Sequence, residues 1–449
     1  MKLDPLVASV AQALRESACP SRGEAIVVGL SGGADSTALV DVLSWLAPKG
    51  GFRVVAAHLD HGLRPGSADD AAACAELCRT LGVPLRRGQA DVRARAVRDR
   101  AGLEDAGRRE RYLFLRRTMG DEGAVAIAVG HTRDDQAETV LLRLLRGAGA
   151  TGLSAMRPRQ GDILRPLLRV SRSAVLAHLA SRGLTWREDP TNADPAFARN
   201  RVRHELLPFL ARFNPNITQT LARSASLLAD EADLVAASGS DLLGRIRRTE
   251  GPSTLLERAG LASAHPAAAR AAIRLALDEA GGRAGVSAVH VERLLALARS
   301  ARSSGRRLPL PGDREAIVRF GHIRLGLRLP APFPFALALA VPGRARIPGG
   351  PTLESRAAGG PARSGPDRAV VAVPIEAEPL LLRTRRPGDR VFLRGRSMSL
   401  KRFLMESHIP VDARAGLPLV ASGPDVLFVP GLPVESPPGG RFVRLEVLG

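Results

Sequence analysis

The chain has 449 residues, room for about three domains at roughly 150 residues each, and its 45% hydrophobic content can build real cores, which excludes wholesale disorder. Lys and Arg number 65 against 45 Asp and Glu, and this net charge of +20 points to a polyanionic partner, nucleic acid ahead of membrane. Only Lys2, Lys49 and Lys401 are lysines, but a preference for Arg swaps one cation for another and does not create the excess. Aromatic residues make up only 3%, which argues against extensive base-stacking platforms.

Cys19, Cys74 and Cys78 are too few for a disulfide scaffold and suit a reducing compartment. Cys74 and Cys78 stand at i, i+4 in a helical stretch, a poor basis for a metal or redox site. The first twenty residues, with Asp4 and Glu16, have the pattern of an amphipathic helix rather than a signal peptide. The longest apolar run, Phe335 to Val341, is far short of the ~20 residues a membrane span needs. A soluble, cytoplasmic protein with no membrane partner is expected.

Residues 24–210 alternate short apolar strands (25–28, 54–57, 124–129) with helical stretches such as 68–81 and 104–119. Near-continuous apolar strands suit a parallel sheet buried on both faces, hence a doubly wound α/β domain over 1–212. At Asn214-Pro215-Asn216 the pattern changes, and Ile217, Leu221, Leu228 and Ala232 fall on one helical face, so 213–320 is expected to be a mainly helical second domain. Residues 321–369 are expected to be linker and strands, with a flexible stretch at 355–368. A small mixed α/β domain is expected at 370–449, with strands at 426–429 and 441–447.

The first strand runs directly into Ser31-Gly32-Gly33-Ala34-Asp35-Ser36 and then an apolar helical run. Two glycines let an anion approach the backbone, the helix start offers unpaired N–H groups, and the two serines add hydroxyls. Asp35 is out of place in a pure anion cradle unless Mg²⁺ bridges it to phosphate. No Walker A lysine is present, which disfavours P-loop phosphoryl transfer. A literal G-x-G-x-x-G at 147–152 follows a helical run rather than a strand, so it reads as helix termination.

Further along, His58, Asp60 and His61 end the second strand, where they would line a ligand crevice. Arg108 and Arg111, at i, i+3 on one helix, could hold phosphate or carboxylate, or form a solvated face. After the third strand come His131, Asp135 and Glu138. Capping by Thr132 explains part of that pattern, while the two carboxylates suit Mg²⁺ or the ammonium groups of an amino acid.

The SGGADS loop resembles the SGGxDS pyrophosphate loop of the N-type ATP pyrophosphatases, which cleave ATP between its α and β phosphates. Together with HLDHGLR, EDAGRRERY, GHTRDDQAET, LLRGAGATGL and EDPTNADPAFARNRVRHELLP, it resembles the tRNA(Ile)-lysidine synthetases in order and spacing over about residues 24–210. A looser likeness covers Arg386-Pro387-Gly388-Asp389-Arg390, Ile409-Pro410 and Val429-Pro430-Gly431. Gly107 departs from the alanine usual in that family.

The resemblance implies adenylation at C2 of the wobble cytidine of an isoleucine tRNA with a CAU anticodon, followed by displacement of AMP by the ε-amine of free lysine. It implies ATP as cofactor, bound by Ser31, Gly32, Gly33, Ala34, Asp35, Ser36, His58, Asp60 and His61, with Mg²⁺ on Asp35. In the catalytic set Asp35 is joined by Arg108 and Arg111 on polyphosphate, His131 assisting adenylation, and Asp135 and Glu138 on the lysine ammonium groups. Arg199, Asn200, Arg201 and Arg203 are candidates for the RNA backbone.

In the C-terminal part Arg383, Arg385, Arg386, Arg390, Arg394, Arg396, Lys401 and Arg402 face only Asp389, and the resemblance makes this run a grip on the acceptor arm. The sequence leaves room for a homodimer. The competing readings are a PP-loop tRNA sulfur transferase, disfavoured by the cysteine placement; an ammonia-using synthetase, for which no glutaminase part is visible; and a non-catalytic RNA-binding protein.

Overall fold

The computed structural model describes all residues except 1–3, 63–66, 101, 188–193, 195, 283–284, 332, 361–366, 374–378, 394, 436–439 and 449. Leu63, Arg64, most of the EDPTNADP segment and Arg394 therefore lie outside the described residues. The chain divides into two compact units, 1–234 and 235–449.

The first unit holds helices α1 (Pro5–Glu16), α2 (Ala34–Gly50), α3 (Ser67–Leu81), α4 (Val92–Asp99), α5 (Leu103–Asp121), α6 (Arg133–Leu145), α7 (Ala150–Leu153) and α8 (Arg172–Ser181). Its strands are β1 (Ala25–Gly29), β2 (Arg53–Asp60), β3 (Leu85–Gln89), β4 (Ala126–Ala128), β5 (Arg159–Gln160) and β6 (Ile163–Leu164). They lie in the order β3-β2-β1-β4-β6-β5, parallel except for the β5–β6 pair. This is the expected doubly wound sheet. One face packs Ile26, Val28, Val54 and Ala128 against α1, α2 and α8, and the other packs Val27, Ala57 and Ile127 against Leu115 of α5.

Strand order reverses at β1, whose neighbours are β2 on one side and β4 on the other. The crevice at the C-terminal ends of β1 and β4 is where such sheets bind ligands. The expected strands correspond to β1, β2 and β4. Neither β3, a polar edge strand (LRRGQ), nor β6, two residues long, is expected from the sequence, because neither carries a usable apolar run.

Three helical pieces follow: α9 (Ala198–Arg201), a π-helical turn (Val202–Leu206) and α10 (Leu207–Ala211). The 30-residue α11 (Ile217–Ile246) then crosses the division between units. Its first half belongs to the first unit because Leu221 and Ala225 pack with Val140 and Ala155, and Arg157 forks onto Asp233 at 2.8 and 2.9 Å.

In the second unit, α12 (Arg258–Ser263), α13 (Pro266–Glu279) and α14 (Ala288–Arg299) supply the expected helices. They share a core with a five-stranded antiparallel sheet that the sequence reading did not contain: β7 (Arg247–Glu250), β8 (Ser253–Glu257), β9 (Arg307–Leu310), β10 (Arg314–Arg319) and β11 (His322–Leu327). These strands are short, and all but β8 carry arginine, which hid them among Ala- and Leu-rich helices.

Beyond them lie β12 (Ala336–Ala338), β13 (Gly343–Arg346), β14 (Thr352–Ala358), β15 (Arg368–Val373), β16 (Leu381–Thr384), β17 (Arg390–Leu393) and β18 (Arg396–Ser399). The chain ends with α15 (Leu400–Glu406), α16 (Val411–Arg414), β19 (Pro418–Ser422), β20 (Asp425–Phe428) and β21 (Arg441–Leu448). They form a six-stranded and a four-stranded sheet. The stretch expected to be flexible at 355–368 begins instead as β14, paired with β21 from Thr352↔Leu448 to Ala358↔Phe442.

Candidate active site

The loop from β1 to α2 is held in shape by its own residues. Ser36 Oγ accepts from Ser31 N at 3.1 Å and donates to the Gly33 carbonyl at 3.0 Å, so this hydroxyl shapes the loop from within. Ser31 remains exposed, with Oγ 3.1 Å from Ser36 Oγ. Gly32 has φ +84°, and a Cβ there would meet Cys74 Sγ at 3.3 Å, so both conformation and space favour glycine. Ala34 is buried at the start of α2.

Gly130, at the end of β4, approaches this loop so closely that a Cβ would lie 3.0 Å from Asp35 C and Ser36 N. Glycine at this point lets the α6 junction pack directly on the α2 start, placing His131, Asp135 and Glu138 beside Asp35. Asp35 Oδ2 accepts from Arg172 at 2.5 Å, while Oδ1 is buried with no partner among the described residues. Burial pushes the Asp35 carboxyl up to about 6; Arg172 and Arg203 oppose that rise, and Asp135 and Asp134 add to it.

Asp135 and Glu138 are both paired in this structure. Asp135 caps its helix, with Oδ2 accepting from Thr132 N at 2.8 Å and Thr132 Oγ1 at 3.0 Å. Its Oδ1 accepts from Arg199 at 3.1 Å and Arg203 at 3.2 Å. Glu138, fully buried, accepts from Arg199 Nε at 2.7 Å and Arg203 Nε at 2.5 Å. The two carboxylates are thus not open ligands, and Arg199 and Arg203 face them rather than an RNA backbone, because buried carboxylates need matched cations. Asn200 is buried too, its side chain donating to Asp194 O at 2.9 Å, while Arg201 is exposed.

His131 sits in the same group. Burial takes its pKa down to about 4; Asp135 works against that, while Arg165, Arg108 and Arg199 deepen it. The imidazole is therefore neutral at pH 7, and its Nδ1 is buried without a partner among the described residues. Arg108 stacks over Tyr112 at 5.1 Å, and Arg111 Nη2 lies 3.4 Å from His61 Nε2. Burial, then Arg111 and His58, lower His61 to about 4.

Two of the crevice residues at the end of β2 also support the local backbone. His58 is buried beneath the loop, with Nδ1 2.9 Å from the Leu30 carbonyl, so it supports the loop from below. Asp60 accepts from Gly62 N at 2.8 Å and shapes the turn.

The sequence reading missed Arg165 and Arg172. Arg165 is buried, donates to the Arg157 carbonyl at 2.9 Å, and has an unpartnered Nε among the described residues. It follows a two-residue strand, where no periodicity could flag it. Arg172 opens α8, and only its contact with Asp35 distinguishes it from other surface arginines.

In the C-terminal basic run, Arg383 and Asp389 form a buried forked pair at 2.9 and 2.7 Å, and Asp389 also accepts from Arg386 N at 2.6 Å. Arg383 is therefore part of the core. The same pair fixes the turn that leaves Arg385 and Arg386 exposed, with exposed Arg390 bound to Ser397 Oγ at 2.8 Å.

The glycine-bearing loop at a strand reversal, with acidic and basic groups gathered around it, matches a PP-loop domain model over residues 6–210. The first unit is thus built on a PP-loop ATP-binding domain. Models of the TilS substrate binding domain and the TilS substrate C-terminal domain match residues 256–322 and 380–440. The chain is 38% identical to the tRNA(Ile)-lysidine synthase of Symbiobacterium thermophilum, over 91% of this chain and 90% of that protein. Those of Geobacter sulfurreducens (37%; 91% and 89%) and Dehalococcoides mccartyi (31%; 95% and 94%) are similar over comparable spans. The chain belongs to the tRNA(Ile)-lysidine synthase family. No helix among the described residues is long and apolar enough to cross a membrane.

Proposed function

We propose that this site uses ATP to join free lysine to C2 of the wobble cytidine in an isoleucine tRNA with a CAU anticodon, in the cytoplasm. The observation that carries the reading is the packing of Gly130 on the Asp35–Ser36 backbone, which sets a pyrophosphate loop against His131 and the Asp135–Glu138 pair. In the first step the C2 carbonyl oxygen of cytidine attacks the α-phosphate and pyrophosphate leaves. In the second the ε-amine attacks C2, AMP departs with that oxygen, and the amine loses a proton.

The loop N–H groups and Ser31 hold the pyrophosphate, and Arg108 and Arg111 neutralise its charge. Mg²⁺ fits here because the unpartnered Asp35 Oδ1 is a buried carboxylate oxygen of the kind that ion takes along with phosphate. Asp35 would hold it, and it would supply charge neutralisation at the phosphates.

His131 is an unsuitable base for lysine. Burial holds its imidazole well below the ordinary range, whereas a lysine ammonium ordinarily titrates near about 10.4, so the proton transfer runs uphill. Neutral His131 instead orients the reacting groups. The arginines around it, Arg108, Arg165 and Arg199, disfavour an ammonium at the reacting end and so release its proton to water. Lysine's other ammonium enters by displacing a guanidinium from Asp135 or Glu138, and the freed arginine takes its α-carboxylate.

The test is incorporation of labelled lysine into isoleucine tRNA with ATP and Mg²⁺, using a tRNA with an altered wobble cytidine as control. Labelling that needs both ATP and that cytidine is expected. AMP formation only with a sulfur donor would overturn the reading. Glu138→Gln should raise the KM for lysine about tenfold or more while leaving tRNA affinity unchanged.

A further inference from the structure

The segment linking the catalytic carboxylates to α11 carries a feature the reaction does not use. The chain has only twelve Phe, two Trp and one Tyr. Three of these few aromatics, Phe197, Phe209 and Phe213, stand exposed within seventeen residues. Phe209 and Phe213 form an edge-to-face pair with ring centroids 5.4 Å apart, and Phe213 is 76% exposed. Every exposed large apolar residue from Phe197 to Phe213 is aromatic, and Leu206, Leu207 and Leu210 are turned partly inward.

The polar neighbours are mostly cationic. Arg212 lies between the two rings in sequence and Arg201 one helical stretch earlier, both exposed, with Glu205 as the exposed acid of the segment. Water-facing π surfaces beside guanidiniums match the chemistry of unpaired nucleotides, which offer a flat face to stack on and a phosphate for the cation. A second copy of this chain would bring its own excess of cations, at a net charge of +20, against these guanidiniums, whereas an RNA brings the opposite charge.

We propose that Phe209 and Phe213, with Arg212 and Arg201, form a stacking face for unpaired nucleotides of the RNA substrate. The proposal rests on the reading of tRNA as substrate and adds where its single-stranded part is held. The same run of helix begins with Arg199 and Arg203 on Asp135 and Glu138, so nucleotides stacked on the rings lie on the element that reaches the reaction centre.

The test compares full-length wild type with Phe209→Leu/Phe213→Leu, which keeps apolar volume and removes the π faces, and with Phe209→Tyr/Phe213→Tyr, which keeps them. Phe333→Leu, at another exposed aromatic, is the control. The leucine pair should raise the KM for tRNA about tenfold or more and leave the KM for lysine and for ATP unchanged, with the tyrosine pair close to wild type. A Phe213→Trp variant should show fluorescence quenching on titration with an anticodon stem-loop RNA, above the signal from Trp45 and Trp186 in wild type.

An unchanged tRNA KM in the leucine pair, or equal loss in the tyrosine pair, would overturn the proposal while leaving lysidine formation intact. A self-association in sedimentation that the leucine pair abolishes, without change in RNA binding, would assign the rings to a second copy and also overturn it. Failure of wild type to form lysidine would instead strike the underlying reading.

Discussion

Two clusters of arginine and carboxylate, one in each unit, look alike in composition and differ in what they leave open. In the C-terminal unit Arg383 and Asp389 are both sealed, with side chains 1% and 3% exposed, and the pair acts as an internal clamp. In the catalytic unit Asp135 and Glu138 are buried, yet their partners Arg199 and Arg203 keep about a third and a quarter of their side-chain surface in solvent. A sealed ion pair cannot exchange partners without exposing a bare charge to a low-dielectric interior, whereas an arginine at the rim can swing into water. The contrast separates a cluster that holds shape from one whose cations are free to move.

The largest effect should come from breaking the sealed pair. Arg383→Ala strands Asp389 and should cost about 3–5 kcal/mol in denaturant unfolding of the second unit. Arg203→Ala, at the rim, should cost much less stability in the same assay. Equal losses would dissolve the distinction.

A third buried cluster sharpens the comparison through pH. His178 bridges Asp4 at 2.7 Å and Asp41 at 2.8 Å, tying α1 and α8 to α2. The Asp41 hydrogen bond, above all, raises the His178 pKa, burial opposing it. Asp4 and Asp41 end lower than usual, since their bonds to His178 and other partners outweigh burial. A raised histidine stabilises fully below its unfolded pKa of about 6.5 and loses that contribution as pH rises through its folded value. The lowered aspartates stabilise above about 3.8 and lose it as pH falls. The stability gap between wild type and His178→Gln should therefore be widest between about pH 4 and 6.5, at roughly 1.5–3 kcal/mol, and narrow at alkaline pH.

On the surface presented by the sealed pair, Arg385→Glu/Arg386→Glu should weaken tRNA binding about tenfold and flatten its dependence on salt, with kcat at saturating tRNA unchanged. Filter binding across a salt series measures both. The smallest effect is a gain. A Cβ on Gly107 would sit 3.6 Å from Val92 in ordinary contact, so Gly107→Ala should stabilise α5 by about 0.5–1 kcal/mol in thermal unfolding.

What the sequence disclosed follows the same divide. The SGGADS loop and the α6 start were legible because backbone geometry demands particular residues there, and the apolar strands β1, β2 and β4 showed themselves by composition. The partners of the buried charges were not legible. Arg199 and Arg203 look like any arginines on a helix until Asp135 and Glu138, more than sixty residues away, are seen opposite them. Arg383 read as one more cation in a basic run, though its neighbours bury it. The middle sheet escaped notice because β7 to β11 are short and all but β8 carry arginines that mask alternation.

The π-helical turn at Val202–Leu206 carries a consequence for how this segment tolerates change in length. A wide turn holds one residue more than an α-helical turn, so α10 is set around the axis by about 100° relative to an unbroken helix. Removing a single residue there would let the helix close up, and Arg199 could keep its carboxylates while Phe209 and Phe213 swung to another side. One inserted position thus uncouples two faces of a single rod, and point substitution on either face leaves that phase intact where a one-residue deletion does not.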